Sequence, residues 1–261
     1  MSLTQEQFDK LTALEKENKL NDAEKGQLEP YRVKRAIFMA AGFGKRMVPV
    51  TLKTPKPLVK INGTRIIDTL LDAVIGAGIE EIIIVRGYLK EQFDQLLEKY
   101  PNIKFVDNDA YNEANNISSV MCARHLLQNA YILESDLLLS NPSLVTKYQY
   151  TSNYLGVPAD KTDDWCFETN NKIITKVKIG GENCHHMFGI SYWNENDGAK
   201  LARHVKEAFE SPGGKDLYWE EVSLKHFKDE YQIQVRECSF DDIIEIDTIE
   251  ELIQLDNSYK S

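Results

Sequence analysis

A short stretch near the start of the chain combines residue types that suit the binding of a polyphosphate. The apolar run from Ala36 to Ala40 leads into the loop Ala41-Gly42-Phe43-Gly44 and the basic pair Lys45-Arg46, and Lys56 follows between two prolines. Glycines adopt backbone angles closed to other residues and let main-chain N–H groups approach an anion. The basic side chains can neutralise phosphate charge, and the prolines give Lys56 a stiff support. We therefore predict a triphosphate site at the end of this strand.

Two better-known glycine motifs do not fit this loop. The dinucleotide-binding fingerprint requires a third glycine where this chain has Met47. The P-loop requires Ser or Thr after its lysine, and the residue at that position is Arg46. The loop is therefore interpreted as a phosphate site of a different kind.

Alternating strand and helix signals after Lys34 predict the sheet that positions this loop. Short apolar runs typical of buried strands are separated by helical stretches, and this βαβ pattern indicates a mainly parallel mixed sheet flanked by helices. In such a sheet, ligands bind at the carboxyl ends of the strands, where the Gly42 loop begins. The predicted strands are 36–40, 81–85, 103–106, 130–133, 151–157, 165–168, 173–178, 187–193 and 232–237, and the predicted helices are 66–76, 89–100, 118–128, 199–210 and 218–227.

The chain of 261 residues is predicted to have two parts. Residues 1–32 are polar and charged, and the pairs Thr4 with Gln7 and Asn21 with Glu24 are typical of the starts of two short helices. These helices are expected to form an appendage packed on the main domain, with a remnant of a regulatory or dimerisation module as the alternative. Residues 33–261 are predicted to form a single Rossmann-like α/β domain.

Composition narrows the class of partner. The net charge of -10 argues against nucleic acid or an anionic membrane, because both would be repelled. No apolar run approaches the roughly 20 residues that cross a bilayer, so membrane insertion is not expected. The four cysteines are scattered without a C-x-x-C pair, which is typical of reduced thiols in the cytoplasm. The oligomeric state is left open, a homodimer included.

Two aspartates far apart in the sequence are candidate metal ligands. Asp136 ends the run that starts at Tyr131, and Asp247 ends the run that starts at Ile243, so both are expected at strand ends near the phosphate loop. Two carboxylates there suffice for Mg²⁺, which keeps several waters and bridges substrate phosphates. The alternative for Asp247 is a helix cap, because Thr248, Ile249 and Glu250 follow it.

The second half of the chain concentrates aromatic and acidic residues that suit a cationic ligand. A quaternary ammonium has no N–H group to donate, so proteins hold it against aromatic faces with carboxylates nearby. At least two of these aromatic side chains are expected to pack in the core instead. The candidate residues are Trp165, Tyr192, Trp193, Tyr218 and Trp219, with Asp164, Asp216, Glu220 and Glu221 beside them.

The motifs together resemble the signature of nucleotidyltransferases that join a nucleoside triphosphate to a phosphorylated small molecule. The matching residues are Ala40 to Met47 and Thr54 to Leu58, and the similarity extends from about Lys34 to about Asp256. Within that superfamily, the chain looks most like the bacterial CTP:phosphocholine cytidylyltransferases. The segments that carry this narrower match are Gly87 to Phe93, Asn115-Asn116, Asp216 to Trp219 and Glu245 to Asp247.

The resemblance implies a reaction and a role for each group of residues. Phosphocholine would attack the α-phosphorus of CTP in line, with Mg²⁺ as cofactor, giving CDP-choline and pyrophosphate. Arg46 would grip the β and γ phosphates, and Lys56 would bridge the α-phosphate and the attacking phosphate, with Lys45 beside them. The implied site residues are Ala40, Ala41, Gly42, Gly44, Gly87, Tyr88, Asn116 and Ser119 for the nucleotide, Trp165, Asp216, Tyr218, Trp219, Tyr192 and Glu220 for the acceptor, and Asp136 and Asp247 for the metal.

Several alternatives stay open at this stage. Asn115-Asn116 are equally suited to cap the helix that begins nearby. Phosphoethanolamine or 2-aminoethylphosphonate are rival acceptors, since an ammonium prefers carboxylates to an aromatic cage. A sugar 1-phosphate fits the acidic and aromatic second half less well. A non-catalytic nucleotide-binding regulator is disfavoured by the intact Arg46, Lys56, Asp136 and Asp247.

Overall fold

A seven-stranded mixed sheet forms the centre of the protein in the computed structural model, which describes residues 2–260. Met1 and Ser261, the outer ends of the two predicted parts, lie outside the described residues. Two pairs of short strands form small separate sheets. In chain order the strands are β1 (Arg35–Ala40), β2 (Lys60–Ile61), β3 (Thr64–Arg65), β4 (Glu81–Arg86), β5 (Ile103–Asp107), β6 (Ala130–Glu134), β7 (Leu137–Leu139), β8 (Asn153–Asn170), β9 (Ile173–Trp193), β10 (Gln234–Glu237) and β11 (Ile243–Glu245).

The main sheet has the strand order β10-β8-β9-β6-β1-β4-β5. The half that contains β6, β1, β4 and β5 is parallel, because β1 lies parallel to both β4 and β6, and β4 lies parallel to β5. The long strand β9 runs antiparallel to β6 and β8. Helices flank both faces, so the predicted fold class is confirmed.

Strand β1 is buried on both faces, as expected of a central parallel strand. Ala36, Phe38 and Ala40 belong to a core on one face, and Ile37 belongs to the core on the other. The helices that cover these cores are amphipathic, and α3 and α5 contribute most of the buried helical side chains. The α-helices are α1 (Gln5–Lys16), α2 (Asp22–Leu28), α3 (Ile66–Gly76), α4 (Ile117–Ala123), α5 (Glu195–Glu210), α6 (Trp219–Glu221) and α7 (Ile249–Leu255).

The N-terminal helices begin as the sequence predicts. Thr4 with Gln7 and Asn21 with Glu24 each form a complete capping box. Phe8 and Leu11 of α1 and Leu28 of α2 pack with Tyr148 in a small core of their own. This core fixes the appendage to the segment that leads into β8.

Several predicted elements differ from the structure in length or type. The four strands predicted between 151 and 193 are the two long strands β8 and β9, joined at Asn171-Lys172, which both have positive φ. The predicted helix 89–100 is a 3-10 helix over Lys90–Glu98. Helix α4 ends at Ala123 and continues as a 3-10 turn, and the predicted helix 218–227 divides into α6 and a π-helical segment over Val222–His226.

Within residues 2–260, no helix combines the length and the apolar character that crossing a membrane requires.

Candidate active site

The glycine loop after β1 has the backbone geometry that its sequence predicts. Gly44 has φ +69°, a left-handed conformation that favours glycine. A Cβ at this position would lie 3.1 Å from the Thr51 side chain and 3.2 Å from Cβ of Lys56. The Thr51 hydroxyl donates to the Gly44 carbonyl at 2.9 Å. The loop is therefore folded tightly against the segment that carries Lys56.

Lys56 lies between the two predicted metal ligands. Its ammonium donates to Asp136 Oδ2 at 2.8 Å and to Asp247 Oδ1 at 2.7 Å. Arg46 Nη2 lies 2.8 Å from the second oxygen of Asp247. Burial favours the neutral amine, but the charges of Asp136 and Asp247 outweigh it and raise the pKa of Lys56 above its usual value. Lys56 is thus a permanent cation that faces the cavity.

A small antiparallel sheet brings the two aspartates together. Leu137 of β7 pairs with Glu245 of β11, and the Ile246 N–H donates to the Asp136 carbonyl at 3.1 Å. The helix cap that was the alternative role for Asp247 is taken by Thr248, whose hydroxyl accepts from the Glu251 N–H at 3.2 Å. The carboxylate of Asp247 is therefore available to the site.

Two glutamates extend the pair of aspartates into a larger acidic cluster. Oxygen atoms of Glu134, Asp136 and Glu245 lie within 4.8 Å of one another. Burial, followed by the charges of Glu220 and Asp136, raises the pKa of Glu134 well above its usual value. Burial, followed by the charges of Asp136 and Asp247, raises the pKa of Glu245 to about 9. Both glutamates prefer the neutral form unless a cation joins them.

The donor set fits a hard divalent cation. Asp136 Oδ1 is buried and has no hydrogen-bond donor among residues 2–260. A buried acceptor without a partner is costly, and carboxylate oxygens are the ligands that Mg²⁺ prefers. Neither Glu134 nor Glu245 is among the metal ligands predicted from the sequence. The signal was present, because each precedes a candidate aspartate by two positions, which places the two side chains on one face of an extended chain.

One cavity of about 520 Å³ joins this acidic and basic centre to an aromatic wall. Trp165 of β8 and Tyr218, just before α6, form the wall, with ring centroids 5.3 Å apart in an edge-to-face arrangement. Met187 and Gly189 of β9 complete this end of the cavity. The sequence-predicted residues that line the cavity are Ala40, Gly42, Gly44, Arg46, Lys56, Asn116, Asp136, Asp164, Trp165, Tyr218, Glu220 and Asp247.

A smaller cavity of about 250 Å³ continues from the glycine loop. Ala41 and Ser119 line it, and the Ser119 hydroxyl accepts from the Asn108 amide at 3.1 Å. Gly87 allows close packing here, since a Cβ would lie 2.8 Å from Tyr111 and 2.9 Å from the Ala41 carbonyl. These residues therefore remain candidates for contacts to the nucleotide.

Tyr88 and Lys45 lie beside the cavity rather than on its wall. The Tyr88 N–H donates to the Ala41 carbonyl at 3.0 Å, and the Tyr88 ring packs edge-to-face on Phe43 at 4.6 Å. Tyr88 thus supports the back of the glycine loop. Lys45 is exposed and has no ion-pair partner among the described residues, so it contributes charge at the rim.

Three predicted acceptor residues lie elsewhere, and their placement in the acceptor pocket is corrected. Tyr192 of β9 is 1% exposed and packs against Tyr131 in the core. Trp219 is 2% exposed, and its ring stacks on Tyr154. Asp216 lines a separate shallow depression, and its carbonyl accepts from the Asn115 amide at 3.2 Å. Strand alternation turns Tyr192 away from the cavity, and Trp219 fills the core that α6 covers.

Asn116 links the two halves of the site instead of capping a helix. No side-chain hydrogen bond caps α4. The Asn116 amide instead donates to Glu220 Oε2 at 3.3 Å, while its oxygen accepts from the Trp219 N–H at 2.9 Å. Asn116 therefore positions the start of α6 against the cavity.

Comparisons with known proteins agree with this arrangement. The family described as Nucleotidyl transferase matches residues 35–153, which include the glycine loop, Lys56 and Asp136. The 2-aminoethylphosphonate cytidylyltransferase of Lancefieldella rimae is 38% identical over 228 residues, covering 86% of this chain and 92% of its own length. The chain belongs to the nucleotidyltransferase family. It is accordingly an enzyme of that family.

Other relatives of this nucleotidyltransferase match it over a similar length. The choline-phosphate cytidylyltransferase of Streptococcus pneumoniae is 31% identical over 231 residues, which is 87% of this chain and 99% of the relative. A solved structure of the CTP:phosphocholine cytidylyltransferase from Streptococcus pneumoniae matches with a TM-score of 0.80 at 31% identity, over 87% of this chain and 99% of that one. The inositol-1-phosphate CTP transferase of T. maritima, at 18% identity and a TM-score of 0.70, shares the fold.

Proposed function

We propose that this nucleotidyltransferase transfers CMP from CTP to a small acceptor with a phosphoryl or phosphonyl group at one end and a cationic nitrogen at the other. The observation that carries the proposal is the single cavity that joins Arg46 and Lys56 to the wall of Trp165, Tyr218 and Glu220. One end suits anions and the other suits a cation. A zwitterionic acceptor would therefore be oriented with its oxyanion toward the basic residues.

The basic residues support an attack of one anion on another. The acceptor oxygen would form a bond to the α-phosphorus of CTP, while the bond from that phosphorus to the β-phosphate oxygen breaks and pyrophosphate leaves. Lys56 stays protonated because its pKa is raised, so it can donate to oxygens of both reacting groups and lower their repulsion. Arg46 can form two parallel hydrogen bonds to the leaving phosphates.

Asp136 and Asp247 are the proposed Mg²⁺ ligands, with Glu134 and Glu245 beside them. Asp136 supports this assignment because its Oδ1 has no donor among the described residues. When bound, Mg²⁺ would neutralise phosphate charge and orient the triphosphate. Arg46 holds Asp247 in place from the exposed side, at 2.8 Å.

Two acceptors are the named candidates within this class. The Trp165–Tyr218 pair supports phosphocholine, the acceptor that the sequence resemblance implies, because aromatic faces bind cations. The buried carboxyl group of Glu220 and the relative from Lancefieldella rimae support 2-aminoethylphosphonate. A cytoplasmic location belongs to the proposal, because CTP is made there and all four cysteines are free thiols.

The test is pyrophosphate release from each nucleoside triphosphate with each acceptor. The acceptors are phosphocholine, phosphoethanolamine, 2-aminoethylphosphonate and a sugar 1-phosphate, with Mg²⁺ present and with EDTA as the metal-free control. We expect release with CTP and a cationic acceptor only. Release with the sugar 1-phosphate alone, or with no acceptor at all, would refute the proposal.

A further inference from the structure

Glu220 is a buried acidic residue that nevertheless faces the main cavity. It is 3% exposed, and it lines the cavity beside Tyr218. Its only side-chain hydrogen-bond donor among residues 2–260 is the Asn116 amide, which reaches Oε2 at 3.3 Å. The Trp219 N–H binds the oxygen of that amide at 2.9 Å, so the amide must turn its NH₂ group toward Glu220. The carboxyl group is therefore held in one orientation, with Oε1 left for a further donor.

A second carboxyl group stands against Glu220 on the cavity wall. Glu134, at the end of β6, lines the same cavity as Glu220. Gly189 of β9 makes the room, since any Cβ at that position would overlap the Glu134 carboxyl group. No protein donor reaches the Glu134 side chain within the described part of the chain. Oε1 of Glu220 and the Glu134 side chain are therefore open to a donor from a ligand in the cavity.

The aromatic wall is too small to enclose a trimethylammonium group. Of the five aromatic residues that the sequence offered, Tyr192, Trp193 and Trp219 are in the core. Trp165 and Tyr218 pack edge-to-face on each other, so they cover one side of the cavity. A cage for a quaternary ammonium surrounds it with aromatic faces.

We infer that Glu220, oriented by Asn116, binds a primary ammonium group and selects an aminoalkyl phosphonate or phosphate over its trimethylammonium analogue. The inference rests on the proposed function and names the substrate class of the same site. A primary ammonium donates three hydrogen bonds, and one of them can be accepted by the free Oε1 of Glu220. A trimethylammonium group donates none, so the buried oxygens would lose water without gaining a partner. Sites built to bind an N–H group reject analogues that lack it far more strongly than apolar pockets reject an extra methylene.

The experiment compares the wild-type enzyme with Glu220→Gln on three acceptors. Initial rates of pyrophosphate release are measured with 2-aminoethylphosphonate, phosphoethanolamine and phosphocholine at saturating CTP. We expect the wild type to prefer the primary amines by about 100-fold or more in kcat/KM. Glu220→Gln should raise KM for the primary amines about 10- to 100-fold and leave KM for CTP and for phosphocholine within about threefold. The ratio of kcat/KM for 2-aminoethylphosphonate to kcat/KM for phosphoethanolamine shows whether the enzyme prefers a phosphonate or a phosphate as the attacking group.

Glu221→Gln is the matched control on the same helix. Glu221 lies outside the cavity, accepts from the Tyr218 N–H and pairs with Lys225 at 2.8 Å, and glutamine keeps an acceptor oxygen there. Its KM for each acceptor should equal the wild-type value. Thermal melting of both variants shows whether they are folded.

Calorimetric titration of 2-aminoethylphosphonate into each protein supplies a readout that does not depend on turnover. Loss of binding in Glu220→Gln but not in Glu221→Gln supports the inference, even if no acceptor supports catalysis and the proposed function fails. A wild type that uses phosphocholine as well as the primary amines overturns it. An unchanged KM and an unchanged dissociation constant in Glu220→Gln overturn it as well.

Discussion

The two ends of the cavity differ in how many parts of the chain contribute their side chains. The phosphate end is built from one continuous segment, Gly42 to Lys56, and from two aspartates that follow strands. The acceptor end is assembled from Asn116, β8, β9 and α6, and each contributes one or two side chains. At the phosphate end, Arg46 is exposed, whereas Lys56, Asp136 and Asp247 are mostly buried. At the acceptor end, Glu220 is buried, whereas Tyr218 is 43% exposed.

This difference explains why the two ends tolerate change differently. Lys56, Asp136 and Asp247 are held by one another, so a substitution there alters charge without opening the core. At the acceptor end, Glu220 is next in the chain to the core residue Trp219. A substitution in this turn of α6 can therefore disturb both the cavity and the core. Substitutions at the phosphate end should therefore act on turnover, and those at the acceptor end on KM and stability.

The largest effect is expected from Lys56→Ala. Removing this ammonium leaves Asp136 and Asp247 without their cation and the two reacting anions without a shared donor, so turnover should fall by about 10³-fold. Steady-state pyrophosphate release measures the loss. Lys60→Ala, at an exposed position of β2, is the control and should keep wild-type turnover. A folded Lys56→Ala protein with near-normal kcat would remove Lys56 from the mechanism.

The neighbouring basic residues provide a sharper contrast within the phosphate end. Arg46 lines the cavity and contacts Asp247, whereas Lys45 is exposed at the rim. Arg46→Ala should lower kcat/KM for CTP about 10- to 100-fold, as expected for lost hydrogen bonds between charged groups. Lys45→Ala should lower it less than about threefold, because exposed charges are screened. Equal losses in the two variants, measured at one ionic strength, would show that the ordering inferred from their positions is wrong.

The sequence predicted that the residues of the phosphate end lie together, because its signals there are local. Glycine at a left-handed position, a lysine between prolines and aspartates at strand ends each depend on a few neighbouring residues. Parallel strands have their carboxyl ends at one edge of the sheet. The sheet topology alone therefore predicts that residues far apart in the chain, such as Gly42 and Asp136, lie close together.

The acceptor end was predicted only in part because the side that a residue faces depends on tertiary packing. Trp165 and Tyr192 both lie on long strands and have similar character, yet β8 turns Trp165 to the cavity while β9 turns Tyr192 to the core. Four strands were predicted where two continuous strands exist, so the alternation could not be followed from one end to the other. Asn116 and Glu220 meet only in the folded chain, and no local pattern indicates their contact.

A pair of aromatic substitutions tests whether Trp165 faces the acceptor pocket while Tyr192 packs in the core. Trp165→Ala removes half of the aromatic wall, so KM for the acceptor should rise about 3- to 30-fold, the range expected for a lost cation–π contact. Tyr192→Phe removes only a hydroxyl that donates to Asn129 at 3.3 Å. It should cost about 1 kcal/mol of stability and leave KM unchanged. If KM rose as much in Tyr192→Phe as in Trp165→Ala, Tyr192 would have to contact the acceptor, and its assignment to the core would be wrong.

The smallest effect is a pH dependence of stability that arises at the acceptor end. Burial raises the pKa of Glu220 to about 7, although hydrogen bonds, that from the Asn116 amide among them, lower it, and the charge of Glu221 raises it further. Tyr154 of β8 is the other titratable group that faces it. Because the folded protein holds this proton more tightly than the unfolded chain, the native state binds more protons between about pH 4.5 and pH 7, and stability falls as pH rises through that window.

The glutamine of Glu220→Gln has no such proton to lose. The difference in unfolding free energy between the variant and the wild type should therefore shift in favour of the variant by about 1 kcal/mol or more from pH 5 to pH 8. Such a change raises the melting temperature of a protein of this size by a few degrees. Urea unfolding at the two pH values measures it, and comparing the change between pH values cancels any effect of the amide that does not depend on pH. Glu245 is present in both proteins, so its own titration largely cancels too. Burial, followed by the charge of Glu220, raises the pKa of Glu134, so part of the measured difference comes from the coupled titration of this pair. Wild-type and variant stabilities that change in parallel with pH would mean that Glu220 is already ionised at pH 5. The acceptor end would then hold its charge as permanently as the phosphate end does.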